Sequence, residues 1–397
     1  MGAKGLSAAV AAVAALALSF KVLLGGLSKK AYDGLNGVIS FSSKLIAATR
    51  AVEAAEEHAL VFDPLAARMA GQEALASSRR RAQAAPEGSE RKYKVGKMAI
   101  RTRWFDDQIE AALGMPVSAT IPGVLRAASA PSRVDLPSYV WSHPDGHEPR
   151  QLVMLGTGMD SRPWRMKLPA DLAWFELDQG DVVGAKRALL HQLAAEVPEP
   201  EERVEAQEEP MSPKFVDSGL ARHTSIDEVQ FPLRCGSWAA VACDLSDPAW
   251  SEALVGAGFD PRKPTVWVAE GLLMYLEESK VQGMLRKVAE LSEEGSVFIG
   301  LSVTLAVIDR LRARGKGSGV ASSLMDQWVF GCPEDPTQFL AACGWQLQLA
   351  TDRLRQAAAL GLDPELCAFP TKGGASEAEG GTSLFMVATP TAAPKKD

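Results

Sequence analysis

With 397 residues, 47% of them hydrophobic and 23% charged, the chain can bury a substantial core and has the ordinary composition of a globular protein. A formal net charge of −7 does not suit a nucleic-acid binder, which needs a basic surface to neutralise phosphates. The five cysteines, Cys235, Cys243, Cys332, Cys343 and Cys367, include no CxxC pair and no histidine at metal spacing, so neither a disulfide scaffold nor a metal site is expected.

Residues 1–30 hold Lys4, an uncharged alanine-rich run from Gly5 to Phe20, Lys21, a second apolar run from Val22 to Leu27, and Lys29-Lys30. The first run falls short of the roughly 20 residues of a membrane span, but Leu6 to Leu27 reaches that length if Lys21 snorkels to an interface. The shape also fits a secretory signal without a clear cleavage site, whereas Leu6 stands where a myristoylation signal requires Ser or Thr. Two readings stay open: a membrane anchor or targeting segment, facing the cytoplasm or leading to an organelle, and an Ala-rich helix packed on a cytoplasmic domain.

Residues 31–150 read as a helical extension. From Val38 to Ala76, Ile39, Leu45, Ile46, Thr49, Val52 and Leu60 recur at three- and four-residue steps, and Asp63-Pro64 closes one helix and opens the next. Ser77 to Lys97 reads as a charged connection with Arg79-Arg80-Arg81 and Arg91-Lys92. KMAIRTRWFDDQIEAAL then predicts a helix with Ile100, Trp104 and Ile109 inside. Pro116 to Arg150 reads as a loop; Pro144 and Gly146 deny His143 and His147 the helix that would set both rings on one face.

Residues 151–397 carry the organising pattern. Leu152 to Leu155 is a short apolar run ending in Gly156-Thr157-Gly158, and Leu172 to Leu177 is a second one ending at Asp178. Strand, glycine turn, strand and acidic tip describe a nucleoside half-site: backbone N–H groups approach the ligand at the turn, and a carboxylate roughly 20 residues on accepts from the ribose hydroxyls. The third glycine of the dinucleotide fingerprint is missing, so a ligand with ribose and adenine but no pyrophosphate fits better, S-adenosylmethionine (SAM) being the common one. A helix from Asp181 to about Glu196 follows, then an acidic stretch, 197–235, that reads as a surface insertion.

Ser237 to Cys243 predicts the third strand, with Asp244-Leu245 directly after it. Asp244 either faces the ligand or caps the helix beginning at Ser246 to Trp250. The fourth strand lies in PTVWVAEGLLMYL, and Glu270 at its tip and Tyr275 beyond it could stabilise a sulfonium by charge and by a ring face. A helix over Val281 to Leu291, a fifth strand over Val297 to Leu301, a basic Gly-rich lid over Ile308 to Ser318, and a helix with the sixth strand in DPTQFLAACGWQLQL come next. TSLFMVAT predicts a last, antiparallel strand.

In that order, LGTGMDSRPWR, FELD, CDLSDPAW and PTVWVAEGLLMYL resemble the SAM-dependent methyltransferases of the leucine carboxyl methyltransferase type, a broad family that includes bacterial and polyketide-tailoring O-methyltransferases. The likeness runs from Ser40 to Ala388. It implies an α/β fold, the class I Rossmann-like seven-stranded sheet with an N-terminal helical extension. It further implies that Lys44 reaches the SAM carboxylate, and that Arg101, with Arg103 as second choice, pairs with the same methionyl carboxylate through its planar fork. Asp244 would accept from the adenine amine while Leu245 packs on the ring. Gly300-Leu301-Ser302-Val303 stands where the carboxyl methyltransferases proper have a tyrosine-glutamate pair, which does not support a phosphatase-tail substrate.

In methyl transfer the donor brings the reactivity and the protein supplies alignment. A hydroxyl acceptor needs a general base and an ionised carboxylate does not; the sequence points to no base beyond His223 and Tyr275 as candidates. The expectation is therefore a SAM-dependent O-methyltransferase of a small-molecule or peptide carboxylate or hydroxyl, without metal or nucleic acid, with SAM held by Lys44, Arg101, Gly156, Thr157, Gly158, Asp178, Asp244, Leu245 and Glu270. The rivals are a nicotinamide-dependent oxidoreductase and a non-catalytic, membrane-tethered binding protein on the same fold.

Overall fold

Seven apolar runs form one sheet in the computed structural model, which describes residues 35, 37–56, 59–83, 97–115, 148–195, 231–314, 324–360, 362 and 383–391. The expectations for residues 1–30, His143 and His147, residues 197–230 of the insertion, His223 and Cys367 lie outside the described residues. Among the described residues no helix is long and apolar enough to cross a membrane.

In chain order the elements are α1 (Val38–Glu53), α2 (Ala66–Gln83), α3 (Lys97–Ala112), β1 (Gln151–Leu155), α4 (Arg162–Arg165), β2 (Ala173–Asp178), α5 (Gly180–Ala195), β3 (Ser237–Ala242), α6 (Trp250–Gly256), β4 (Thr265–Ala269), α7 (Glu278–Glu290), β5 (Val297–Val303), α8 (Leu305–Arg314), α9 (Thr337–Ala341), β6 (Trp345–Asp352), α10 (Arg353–Ala359) and β7 (Ser383–Pro390). The sheet runs β3-β2-β1-β4-β5-β7-β6. The first five strands pair in parallel, and β7 is antiparallel to both β5 and β6. This is the doubly wound, Rossmann-like sheet of class I methyltransferases, with the antiparallel last strand that the sequence predicts.

Strands β1, β4 and β5 are buried at every residue, as parallel strands covered on both faces must be. Period-two alternation divides them between the faces. Leu152, Met154, Val266, Val268, Val297 and Ile299 join one apolar layer with Leu45 of α1, Trp104 and Phe105 of α3, and Val182 and Leu190 of α5. Val153, Leu155, Trp267, Ala269 and Phe298 join the other, with Trp250 and Leu254 of α6, Val281 and Leu285 of α7, and Leu340 of α9. Helix α7 shows why such a segment docks: its buried residues Val281, Met284, Leu285 and Val288 fall at i, i+3, i+4 and i+7, one stripe of an otherwise charged helix.

The N-terminal helices share the sheet's core. Trp104 stacks on Phe385 of β7 with ring centroids 4.9 Å apart and planes within 20°. An aromatic side chain of this size removes roughly 150–250 Å² from water, worth about 4–6 kcal/mol before entropy is subtracted. That contact pins α3 to the sheet and fixes the side chains it carries toward the crevice.

Some boundaries differ from the expectation. Helix α2, kinked at Gly71 where φ is 74°, continues to Gln83 through the stretch that reads as a connection, because Ala, Arg and Gln are good helix formers and no Gly or Pro follows Gly71 in it. Helix α6 begins at Trp250. Strand β5 continues to Val303, and α8, which overlaps the segment that reads as a lid, buries Val307 and Ile308 in the core. The rest of that segment, 315–318, lies outside the described residues.

Candidate functional site

The chain leaves the sheet in opposite directions from β1 and β4, neighbours in the middle, and in a doubly wound sheet the ligand crevice opens beyond the carboxyl ends of such strands. A cavity of about 190 Å³ lies there, lined by the tips of β1 to β4 and by α1. A single water needs roughly 10–15 Å³ by the same measure, so this is space for an organic ligand rather than a packing void.

The turn after β1 forms its floor. Gly156 and Gly158 take φ of 69° and 56°, the left-handed region that favours glycine, and Gly156 N donates to Leu177 O at 2.8 Å. The need for glycine comes from the protein as much as from any ligand: a Cβ on Gly156 would lie 3.0 Å from Leu272 Cδ1, and one on Gly158 would lie 2.9 Å from Ser43 Cβ of α1. Between them, the Thr157 hydroxyl is buried with no hydrogen-bond partner among the described residues, and the residue lines the cavity. A bound ligand's polar atom would satisfy it.

Asp178 closes the turn from the next strand. Its Oδ2 accepts from Gly158 N at 2.6 Å and its Oδ1 from Gln179 N at 2.7 Å. Burial pushes this carboxyl above the ordinary aspartate range, against the pull of the two N–H donors. An ionised carboxylate has about four lone-pair sites, so acceptor capacity is left on both oxygens for two hydroxyls.

The register Asp178↔Ala242 sets the ends of β2 and β3 level, which brings Asp244 and Leu245 to the same cavity. Asp244 does not cap α6, which starts six positions later. Its Oδ1 instead accepts from Ser246 N at 2.8 Å in a local turn, and the Ser246 hydrogen bonds hold the exposed carboxylate below the usual range. Leu245 is buried beside it.

On the far wall, Arg101 of α3 donates from Nε to Glu270 Oε1 at 2.6 Å. Glu270 follows β4 directly, and its Oε2 lies 2.8 Å from Nη2 of the buried Arg162. Burial opposes the Glu270 charge, yet the two guanidiniums, Arg162 first, hold its carboxyl below the ordinary range. Its charge is thus matched by two guanidiniums at the cavity that it lines. Tyr275 lines the cavity as expected.

Two residues fall elsewhere. Ile39, Ser40, Ser42, Ser43, Ile46 and Arg50 of α1 line the cavity, and half-buried Lys44 is not part of that lining. Arg103 pairs with Asp107 at 2.8 Å on its own helix. Sequence reasoning missed Arg50, Asp160 and Arg162. Arg50 Nη2 donates to Met159 O at 2.6 Å, and Arg162 Nε donates to Asp106 Oδ1 at 2.6 Å. Asp160 and Arg162 lie inside LGTGMDSRPWR and bond to each other, so the motif carried the signal, but Asp106 and Glu270, the other partners of Arg162, are distant in sequence. Among the described residues no group of three or more His, Cys, Asp or Glu side chains could hold a metal ion.

Comparison with known proteins fits this geometry. Residues 44–121 and 144–289 match the family model for leucine carboxyl methyltransferases. A protein of Frankia alni named "putative S-adenosyl-L-methionine-dependent methyltransferase" is 31% identical over 316 residues, 79% of this chain and 84% of the relative. A protein of the same description from Streptomyces avermitilis is 31% identical over 315 residues, 79% of this chain and 85% of the relative. A solved structure of a DUF574-family protein from the same organism is similar over 60% of this chain and 74% of that chain, with a TM-score of 0.34 and 11% identity. At that level the fold assignment stands on the strand order and register.

Proposed function

The chain belongs to the leucine carboxyl methyltransferase family of SAM-dependent methyltransferases, and on that premise we propose that it methylates an oxygen, carboxylate or hydroxyl, of a small-molecule or peptide acceptor. The observation that carries the reading is the meeting of Asp178, Asp244, the glycine turn and Arg101 around one cavity at the middle of the sheet.

Bound SAM would supply an electrophilic methyl group on a sulfonium, ready for in-line displacement. The chain's own residues bind and orient. Asp178 accepts from the ribose hydroxyls. Asp244, exposed at the cavity, accepts from the adenine amine, and Leu245 covers the ring. Backbone groups of Gly156 to Gly158 and the unpartnered Thr157 hydroxyl line the middle of the ligand. Arg101 offers its Nη edge to the amino-acid carboxylate, since Glu270 occupies only Nε. The Tyr275 ring lies where a face toward the sulfonium would favour the cation. An ionised carboxylate acceptor would need no base, and Tyr275 is the phenol in the cavity lining that could serve an alcohol.

The test is calorimetric titration with S-adenosylhomocysteine and, separately, with an oxidised nicotinamide dinucleotide, followed by incubation with methyl-labelled SAM and cell extract. Binding of the first ligand and label in an oxygen ester or ether support the reading. Binding of the dinucleotide alone would replace it with the oxidoreductase.

A further inference from the structure

We propose that Arg162 is a positioning residue for the amino-acid end of SAM, acting through Glu270 to turn the outer edge of Arg101 into the crevice; this rests on the SAM reading above. Arg162 sits six residues after the first glycine of the turn, is 2% exposed, and meets three carboxylates. Its Nε donates to Asp106 Oδ1 at 2.6 Å, its Nη1 to Asp160 Oδ2, and its Nη2 lies 2.8 Å from Glu270 Oε2. Both partners on the near side are themselves fixed. Asp160 Oδ1 accepts from the Arg162 backbone N–H at 2.7 Å, and Asp106 is gripped by Arg165 through two bonds of 2.7 and 2.8 Å.

The guanidinium therefore spans three elements: the turn after β1, helix α3 through Asp106, and the end of β4 through Glu270. Arg101 lies on α3, the helix that Asp106 belongs to. Glu270 holds Arg101 by Nε, and among the described residues no carboxylate or carbonyl takes Nη1 or Nη2. A planar fork tied along one edge presents the other edge, with two N–H groups, to a carboxylate in the cavity that Arg101 lines.

What Arg162 contributes is the second contact on Glu270. Without it, a buried Glu270 would have Arg101 as its one cation, and both carboxylate oxygens would turn to Nε and the neighbouring N–H of Arg101, rotating the guanidinium and its outer Nη edge out of line with the crevice. With Oε2 drawn to Arg162 as an ion pair, Glu270 meets Arg101 through Nε alone, and the outer edge keeps its aim at the cavity.

The test separates positioning from general stability by using two ligands that differ in the amino-acid arm: S-adenosylhomocysteine, which has it, and 5′-methylthioadenosine, which keeps the nucleoside and the sulfur without it. In calorimetry, Arg162→Gln and Glu270→Gln are expected to weaken S-adenosylhomocysteine by at least about tenfold, the loss of one charge-assisted hydrogen bond, and to leave 5′-methylthioadenosine within about twofold of wild type. Equal weakening of both ligands by a folded variant, or no weakening of either, overturns the proposal. If Arg162→Gln does not fold, Glu270→Gln alone decides by the same criterion. A wild-type protein that binds neither ligand overturns the SAM reading, and this proposal with it.

Discussion

Replacing Asp178 by Asn removes a charge from the crevice while keeping the side chain's shape. The Asn amide has one oxygen where the carboxylate has two, each now taken by a backbone N–H. Gln179 is exposed, so water can accept from its N–H, whereas Gly158 N is partly buried and keeps the amide oxygen. The cost to folding is therefore within about 1 kcal/mol. The ligand fares worse, because a ribose hydroxyl that met a carboxylate oxygen now meets an NH₂ donor. A hydrogen bond to a charged group contributes about 1.5–3 kcal/mol, so one lost bond weakens S-adenosylhomocysteine by about 10- to 150-fold, and two by the product. Titration calorimetry near neutral pH reads the affinity and a thermal melt reads the fold. A folded Asp178→Asn protein whose dissociation constant stays within about twofold of wild type would refute the ribose role.

Other substitutions test the scaffold. Gly158→Ala must hold a Cβ at φ 56° and 2.9 Å from Ser43 Cβ, and should lower stability by about 1–3 kcal/mol; an unchanged melting temperature would show that α1 moves away freely. Lys186→Met strands the fully buried Glu176, its partner at 2.6 Å, and should cost about 3–5 kcal/mol, most of it regained when Glu176→Gln is added. A double variant no more stable than the single one would count against this account. Burial pushes the Asp107 carboxyl from 3.8 up to about 6 despite Arg103, so its contribution favours the folded chain at low pH and is lost as pH rises through about 6. Asp107→Asn should therefore gain on wild type by on the order of 3 kcal/mol between pH 4 and 7, and a pH-independent difference in chemical denaturation would contradict the shift.

The sheet was legible because its signals are local. Runs such as Leu152 to Leu155 and Val266 to Val268 are apolar at every position, and the glycine turn and Asp178 follow from one βαβ unit. Asp244 and Glu270 were legible for the same reason, each standing just past a strand. Boundaries were less so: the basic residues after Ser77 look like a connection, but charge does not stop a helix. The placement of Lys44 turned on which face of α1 meets the turn, and Ser43 takes that place. Hardest to see was the fate of Glu270, because Arg101 and Arg162 stand 169 and 108 positions before it in the chain and reach it through the packing of α3 on the sheet and the pairing of β1 with β4.

The wall formed by α1 is held by bonds of its own. Helix α1 touches the glycine turn at Ser43, is bonded to it through Arg50 and Met159, and is fastened beneath by the buried Arg50–Asp63 pair, whose aspartate also receives the Ser161 hydroxyl at 2.6 Å. These bonds lie in the interior, where breaking any one leaves an uncompensated charge or donor. A wall built this way does not act as a swinging gate. Asp244, on the opposite rim, is exposed to solvent, so the two sides of the cavity differ in how firmly they are closed.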